Sequence, residues 1–322
     1  METLNSKYKP YYLQDLYLEP NVKNILDTLI SIDNINILIK GKSNSGKTTL
    51  MGCIIRNYYE LSCCDSFSER NIMFINSLKE QGVNYYRNEM KTFCQSSCDV
   101  YGKKKMVVID DMDILNEQSQ QVFRNYIDKY KNNVNFICSC SSIEKIIESI
   151  QSRLHIFTVQ CNTNEDNAKI MQNIITQENM TLQPQIQKYL LQISNHSIRN
   201  IINNLEKIYL SKCETTDIET YKKICTNISY VHFDIYFDNL KNKKIREAIF
   251  VLYELYDYGY SVIDLLEFIY QYIKKTDFLD ESNKYKIIPI ICKYITIFSK
   301  IHEHNIELAL FTNDVFIKLF YC

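Results

Sequence analysis

Residues 41–48 read Gly-Lys-Ser-Asn-Ser-Gly-Lys-Thr, a G-x-x-x-x-G-K-T run, and no other stretch restricts the fold of this chain so tightly. The run follows the apolar segment 35–40 (INILIK) and opens a segment, 48–58, that is helical in pattern. Strand, glycine-bounded loop and helix in that order bring successive backbone N–H groups and a helix N-terminus to bear on a phosphate. Gly41 and Gly46 permit the tight backbone and the close approach. Lys42, Ser43, Asn44 and Ser45 make up the loop. Lys47 is placed to reach β- and γ-phosphate oxygens, the Thr48 hydroxyl is placed for Mg2+, and Thr49 closes the cofactor-binding run.

A loop of this kind needs a strand under it, and the first half of the chain supplies several. Residues 71–76 (NIMFIN), 105–110 (KMVVID), 134–139 (VNFICS) and 155–159 (HIFTV) are short apolar runs. Residues 83–93, 116–130 and 143–150, which lie between them, are helical in pattern. Continuous apolar strands alternating with helices predict an α/β fold with a parallel sheet covered on both faces. The run Val107-Val108-Ile109 ends in Asp110-Asp111, the Walker B arrangement, in which Asp110 holds Mg2+ through its water shell. After Gln160 the pattern is helical throughout, over 165–227 and again from 230 to the end. Leu265, Leu266, Ile269, Tyr272 and Ile273 have the spacing of one helix face. Three domains are expected: an ATP-binding domain over 1–160, a small helical domain over 161–227 and a helical domain over 228–322.

Composition narrows the class further. A chain of 322 residues exceeds what one core usually serves. Only 6 Gly and 4 Pro over that length favour long helices and oppose an all-β fold. A net charge of -1 supplies no global field for nucleic acid, so any DNA contact must come from a local patch or from an assembly. The 12 cysteines show no secreted framework. Cys63, Cys64, Cys94 and Cys98 share one region without the paired CxxC spacing of structural zinc sites, and they read as reduced thiols acting as small apolar residues. No apolar run approaches the ~20 residues of a membrane span. The best candidate, 287–298, is interrupted by Lys293 and reads as a buried helix. The expected chain is soluble and intracellular.

Around these motifs the chain resembles the small subunits of replication factor C, AAA+ sliding-clamp loaders. Tyr8-Lys9-Pro10 looks like a Tyr-Arg-Pro that borders the adenine pocket. Asn76-Ser77-Leu78-Lys79-Glu80-Gln81-Gly82-Val83, continuing to Arg87 and Lys91-Thr92-Phe93, is similar to Asn-Ala-Ser-Asp-x-Arg-Gly-Ile and its helix. Asp110 to Asp113 stands where the family has Asp-Glu-Ala-Asp. Ser119-Gln120-Gln121-Val122-Phe123-Arg124 resembles Ala-Gln-x-Ala-Leu-Arg. Ile146 to Leu154 is close to Ile-Ile-Glu-Pro-x-x-Ser-Arg-Cys, and Ser197-Ile198-Arg199-Asn200 to Asp-Met-Arg-Arg. The resemblance implies an AAA+ domain, a helical lid and a C-terminal helical collar, with 237–272 and 304–310 in the collar. It implies ATP and Mg2+ as cofactors and an ATPase that acts only within an oligomeric ring. Arg153 is then an arginine finger for a neighbour's ATP, and Arg199 a sensor on the second domain. Arg87 and Lys91 face template phosphates, which gives sequence-independent, salt-sensitive affinity. Residues 116–132 face the clamp. The implied partners are the other subunits of a hetero-oligomeric ring, a pentamer, together with a sliding clamp of the PCNA type and primer-template DNA.

Several positions depart from the family pattern. Asp111 replaces the glutamate that orients the attacking water and is one methylene shorter. Ser141 falls where a sensor Asn is usual. Leu154 replaces Cys, Gln81 replaces Arg, and Glu89 stands where Lys is common. A scaffold subunit that binds ATP without turning it over therefore stays open. So does another AAA+ replication ATPase, an initiator, a helicase loader or a branch-migration helicase. The initiators and branch-migration helicases carry a winged helix with a basic hairpin. Residues 228–322 instead hold 11 Lys/Arg against 13 Asp/Glu and show no hairpin signal.

Overall fold

The computed structural model describes residues 3–63, 65–77, 83–160, 162–194, 197–211, 218–225, 228, 230–276, 278–298 and 302–320. Leu78, Lys79, Glu80, Gln81 and Gly82 of the family-like stretch, and Cys64, lie outside the described residues. The chain forms two compact units, 1–216 and 217–322.

The first unit is built on five parallel strands: β1 (Ile37–Lys40), β2 (Ile72–Asn76), β3 (Lys105–Asp110), β4 (Val134–Cys140) and β5 (His155–Thr158). Their order is β2-β3-β4-β1-β5. Successive side chains leave a strand on opposite faces, and two separate apolar clusters follow from that alternation. Leu38, Val107, Ile109, Phe136 and Cys138 point to one face. There they meet Met90 and Cys94 of α4 (Val83–Gln95) and Val122, Phe123 and Ile127 of α5 (Glu117–Tyr130). Ile37, Ile39, Met106, Val108 and Ile137 point to the other. They pack on Leu26 and Leu29 of α2 (Pro20–Ser31) and on Leu50, Ile54 and Tyr58 of α3 (Lys47–Tyr59). A short helix, α1 (Leu4–Lys7), precedes α2. Burial pushes the Cys94 thiol up to about 12, as suits a small apolar residue in the core.

Two buried asparagines secure the amino ends of the central strands. Asn135 Oδ1 accepts the Ile35 N–H and Asn36 Oδ1 accepts the Phe136 N–H, each at 3.1 Å. The carboxyl ends of β1, β3 and β4 therefore share one edge. The register pairs Lys40 with Cys140 and Ile109 with Cys138, which leaves Asp110 beside Ser139.

The helix expected over 143–150 is not one helix. A 3-10 turn at Ile143–Lys145 is followed by extended backbone at Ile146 and Ile147, and only then by the four-residue α6 (Glu148–Gln151). The buried Gln120 side chain explains the break. Its amide donates to the Leu115 and Lys145 carbonyls and its oxygen accepts the Ile147 N–H at 2.9 Å, offering that backbone a partner other than a helical turn.

After β5 come α7 (Asn164–Gln177), α8 (Pro184–Ile193) and α9 (Ile198–Ser211). The Thr163 hydroxyl caps α7 by accepting the Asp166 N–H. Met171, Ile174, Ile186, Leu190, Ile201 and Leu205 are buried, each on the inner stripe of its helix.

The second unit contains only helices among its described residues: α10 (Ile218–Cys225), α11 (Tyr230–Lys241), α12 (Ile245–Asp257), α13 (Val262–Lys275), α14 (Glu281–Phe298) and α15 (Ile306–Phe320). They enclose one cluster that includes Phe233, Tyr236, Phe237, Leu252 and Phe311, and Leu265, Leu266, Ile269, Tyr272 and Ile273 all belong to it. The run 287–298 lies in α14 and is buried on one face only, at Ile287, Ile291, Tyr294 and Phe298. Lys293 sits on the open side, paired with Asp314 at 3.1 Å. Among the described residues no helix is long and apolar enough to cross a membrane.

Candidate functional site

The loop leaves β1 at Lys40 and turns at once. The Gly41 N–H donates to the Cys140 carbonyl at 3.1 Å, so the loop is tied to the end of β4. A Cβ on Gly41 would lie 2.5 Å from Ser45 Oγ and 2.9 Å from the Val159 carbonyl oxygen, and the second contact is backbone that cannot swing away. Gly46, with φ of 90°, is the left-handed residue that opens α3. The turn folds Lys47 back beneath the loop. Its buried ammonium donates to the Gly41 carbonyl (2.9 Å), the Lys42 carbonyl (3.2 Å) and Ser141 Oγ (3.2 Å). Those three acceptors hold the charge where phosphate oxygens would otherwise compete for it.

The acid pair ends β3. Asp110 takes the Thr48 hydroxyl on Oδ2 at 2.9 Å and the Ser139 hydroxyl on Oδ1 at 2.5 Å. Its carbonyl accepts the Ser77 hydroxyl at 2.6 Å. Asp111 has left-handed backbone, φ 51° and ψ 56°. Aspartate is among the few side chains that accept this region readily, so the shorter acid fits the turn it occupies. Burial, and then the neighbouring Asp110, raise the Asp111 carboxyl above the usual carboxylate range, with Lys47 opposing the shift. A 3-10 turn, Met112–Ile114, carries Asp113, whose Oδ2 accepts the Ser142 N–H at 3.2 Å.

These groups surround a cavity of about 260 Å³ lined by residues 43–49 with Asp111, Asp113, Ile114, Ser141 and Arg199. Two of its polar atoms, Ser45 Oγ and Asp113 Oδ1, are buried without a hydrogen-bond partner among the described residues. The donor set at the acidic end, Thr48 Oγ beside the Asp110 carboxylate, is all oxygen, which suits a hard divalent cation such as Mg2+. The residues present therefore fit both a phosphate chain and its metal.

Not every expected residue lies here. Arg199, the second residue of α9, is exposed and lines the cavity, so the small helical segment and the sheet share the site. Arg153 does not line it. Its Nε donates to Asp128 Oδ1 of α5 and its Nη1 to the Ser149 carbonyl, both at 2.6 Å. That contact raises the Arg153 guanidinium above its ordinary value and lowers the Asp128 carboxyl. Arg87 and Lys91 are exposed, four residues apart on α4, and Glu89 is exposed between them. The Arg87 carbonyl accepts the Tyr126 hydroxyl of α5 at 2.7 Å.

Pro10 and Tyr8 also stand outside the cavity lining. The Pro10 carbonyl accepts the Cys53 thiol of α3 at 3.4 Å. Tyr8 and Lys7 both donate to Glu178 Oε1, each at 2.6 Å, and thereby tie the amino-terminal segment to the end of α7. Sequence reasoning missed Glu178 because its partners lie about 170 positions away. The Lys7 contact, and then the Tyr8 contact, hold the Glu178 carboxyl below its ordinary value of 4.5. A depressed folded-state value means that this tie stabilises the fold fully above pH 4.5 and is lost as pH falls through the lower folded value. Glu178→Gln is therefore expected to remove part of the acid-side fall in thermal midpoint and to leave nucleotide affinity at neutral pH unchanged. Midpoints measured from pH 3 to pH 7 check this, and parallel curves for the two proteins would contradict it.

A phosphate loop between β1 and α3, an acid pair at the end of β3 and the order β2-β3-β4-β1-β5 define a nucleotide-binding P-loop protein of the AAA+ class. Family models agree: one for the AAA domain matches residues 33–163, and one for the replication factor C C-terminal domain matches residues 233–297. Replication factor C subunit 4 of Oryza sativa subsp. japonica is 26% identical over 84% of this chain and 80% of its own. Replication factor C subunit 4 of Saccharomyces cerevisiae is 25% identical over 88% and 85%. Among solved structures, a DNA polymerase III gamma subunit-related protein of Thermotoga maritima superposes with a TM-score of 0.52 at 13% identity, over 91% of this chain and 98% of that one. The RuvB branch migration motor of the same organism gives 0.52 at 14%, over 74% and 80%. Over most of its length the chain is similar to replication factor C subunits, and its fold is that of an AAA+ P-loop protein.

Proposed function

We propose that this chain is an ATP-binding subunit of a replication-factor-C-like clamp loader, and that it works in a hetero-oligomeric ring, a pentamer, which places a sliding clamp on primed DNA. One observation carries the reading: the cavity gathers the phosphate loop, Asp111, Asp113 and Arg199 of a single chain, with Asp110 bonded to Thr48 at its margin, while Arg153 stands outside it. A ring supplies what is missing. Arg153 of one subunit reaches the nucleotide of the next, so ATP joins neighbours and its loss frees them. Lys47 and the loop N–H groups bind the β- and γ-phosphates, Thr48 and Asp110 hold the metal ion, and Arg199 senses the γ-phosphate from α9. Bound Mg2+ would neutralise charge on the phosphates. Asp111 orients water for attack. Arg87 and Lys91 give the ring a contact with template phosphates, and residues 116–132 face the clamp. The ATP-binding domain (1–160), lid (161–227) and collar (228–322) have distinct tasks on this reading: nucleotide switching, sensing and assembly.

The raised carboxyl of Asp111 and the hydroxyl of Ser141 favour a second reading, a ring subunit that binds ATP and turns it over poorly. Turnover by the chain assembled with its partner subunits separates the two. Stimulation by primed DNA and clamp together is expected of the first. A rate unchanged by either, with ATP still bound, would select the scaffold.

A further inference from the structure

We propose that Ser139 is a positioning residue for the metal-binding carboxylate, a role that rests on the nucleotide reading above. All seven residues of β4 are buried, and Ser139 itself is 0% exposed. A hydroxyl in that setting is costly unless it is bonded. The strand does not need it, because the pairing of β4 with β1 and with β3 makes no use of that side chain. The side chain serves the site instead. It donates to Asp110 Oδ1 at 2.5 Å and accepts the Asp111 N–H at 2.8 Å, so one oxygen bridges both members of the acid pair.

The consequence is geometric. Asp110 has two carboxylate oxygens, and Thr48 holds the other at 2.9 Å. With a hydroxyl on each oxygen, rotation about the Cβ–Cγ bond is arrested and Oδ2 stays turned toward Thr48. The Asp111 N–H belongs to a residue held in left-handed backbone, and Ser139 is its partner. Ser139 thus fixes the direction of one acid and the backbone of the next without lining the cavity. Groups in this outer position orient a metal ligand and act on metal affinity through it.

The test is a titration of MgCl2 against binding of a fluorescent ATP analogue by the full chain. Ser139→Ala is expected to raise the Mg2+ concentration for half-maximal binding about tenfold. Affinity for the analogue in EDTA, which reads Lys47 and the loop, is expected to stay as in the wild type. Ser139→Cys keeps the volume and offers a weaker donor, so its midpoint is expected between the two. It also serves if the alanine variant fails to fold. A loss of folded material lowers amplitude and does not move a midpoint. Equal Mg2+ midpoints in wild type and both variants would overturn the inference. So would a parallel loss of binding in EDTA, which would make Ser139 a general support of the fold. A wild-type chain that binds the analogue without any dependence on Mg2+ would overturn the metal reading beneath it, and that outcome is distinct from the other two.

Discussion

Lys47→Ala is expected to weaken nucleotide binding by the largest factor of any substitution in the isolated chain. The ammonium is buried beneath the loop and held by two carbonyls and Ser141 Oγ. Substitution removes a positive charge from a site whose other fixed charges are mostly acidic, since Asp111 and Asp113 line the same cavity. It also leaves the Gly41 and Lys42 carbonyls without the ammonium from which they accept. Charge-assisted hydrogen bonds contribute about 1.5–3 kcal/mol each. Losing two weakens binding by roughly 10²–10⁴-fold. Titration of a fluorescent ATP analogue with Mg2+ reads this directly, and an affinity within about threefold of wild type would remove Lys47 from the site.

Arg153→Ala is expected to be silent in the isolated chain and severe in the ring. Arg153 lies outside the cavity of its own chain, bonded to Asp128. Its loss should leave the chain's nucleotide affinity as it was. In the proposed ring the same change would remove the guanidinium assigned to the transferring charge on the neighbour's phosphate, with an expected loss of about 10³-fold or more in turnover. Arg153→Lys should not restore the rate, because an ammonium lacks the planar fork. Single-chain binding and ring turnover, measured on the same preparations, distinguish this from a folding defect, which would lower both.

What the sequence made legible tracks how local each signal is. The phosphate loop is one contiguous run whose glycines answer to backbone demands, and it lies between β1 and α3 as read. All five strands were legible as apolar runs; the three central ones, β1, β3 and β4, are covered on both faces and leave no room for polar alternation, whereas the edge strands β2 and β5 expose Phe74 and Ile156. The amphipathic stripe of α13 was visible for the same local reason, and every residue in it is buried. Non-local hydrogen bonds were not visible. Gln120 breaks the helix expected over 143–150 by reaching 27 residues forward to the Ile147 N–H. Ser139 is, with Asn135, one of two polar residues in a buried strand, a weak signal that gains meaning only when the register sets it beside Asp110. The tie of Glu178 to the amino-terminal segment had no signal at all. The Asp111 departure was legible as a shorter acid. The left-handed backbone on which that acid sits was not.

The measurement that bears most directly on the central claim is retention of a sliding clamp by the ring that contains this chain, with and without ATP. Retention that requires ATP and Mg2+, and that falls when Lys47→Ala replaces the wild-type chain, is the expected result. A ring that holds the clamp equally well in EDTA without nucleotide, or that never holds it, would contradict the account.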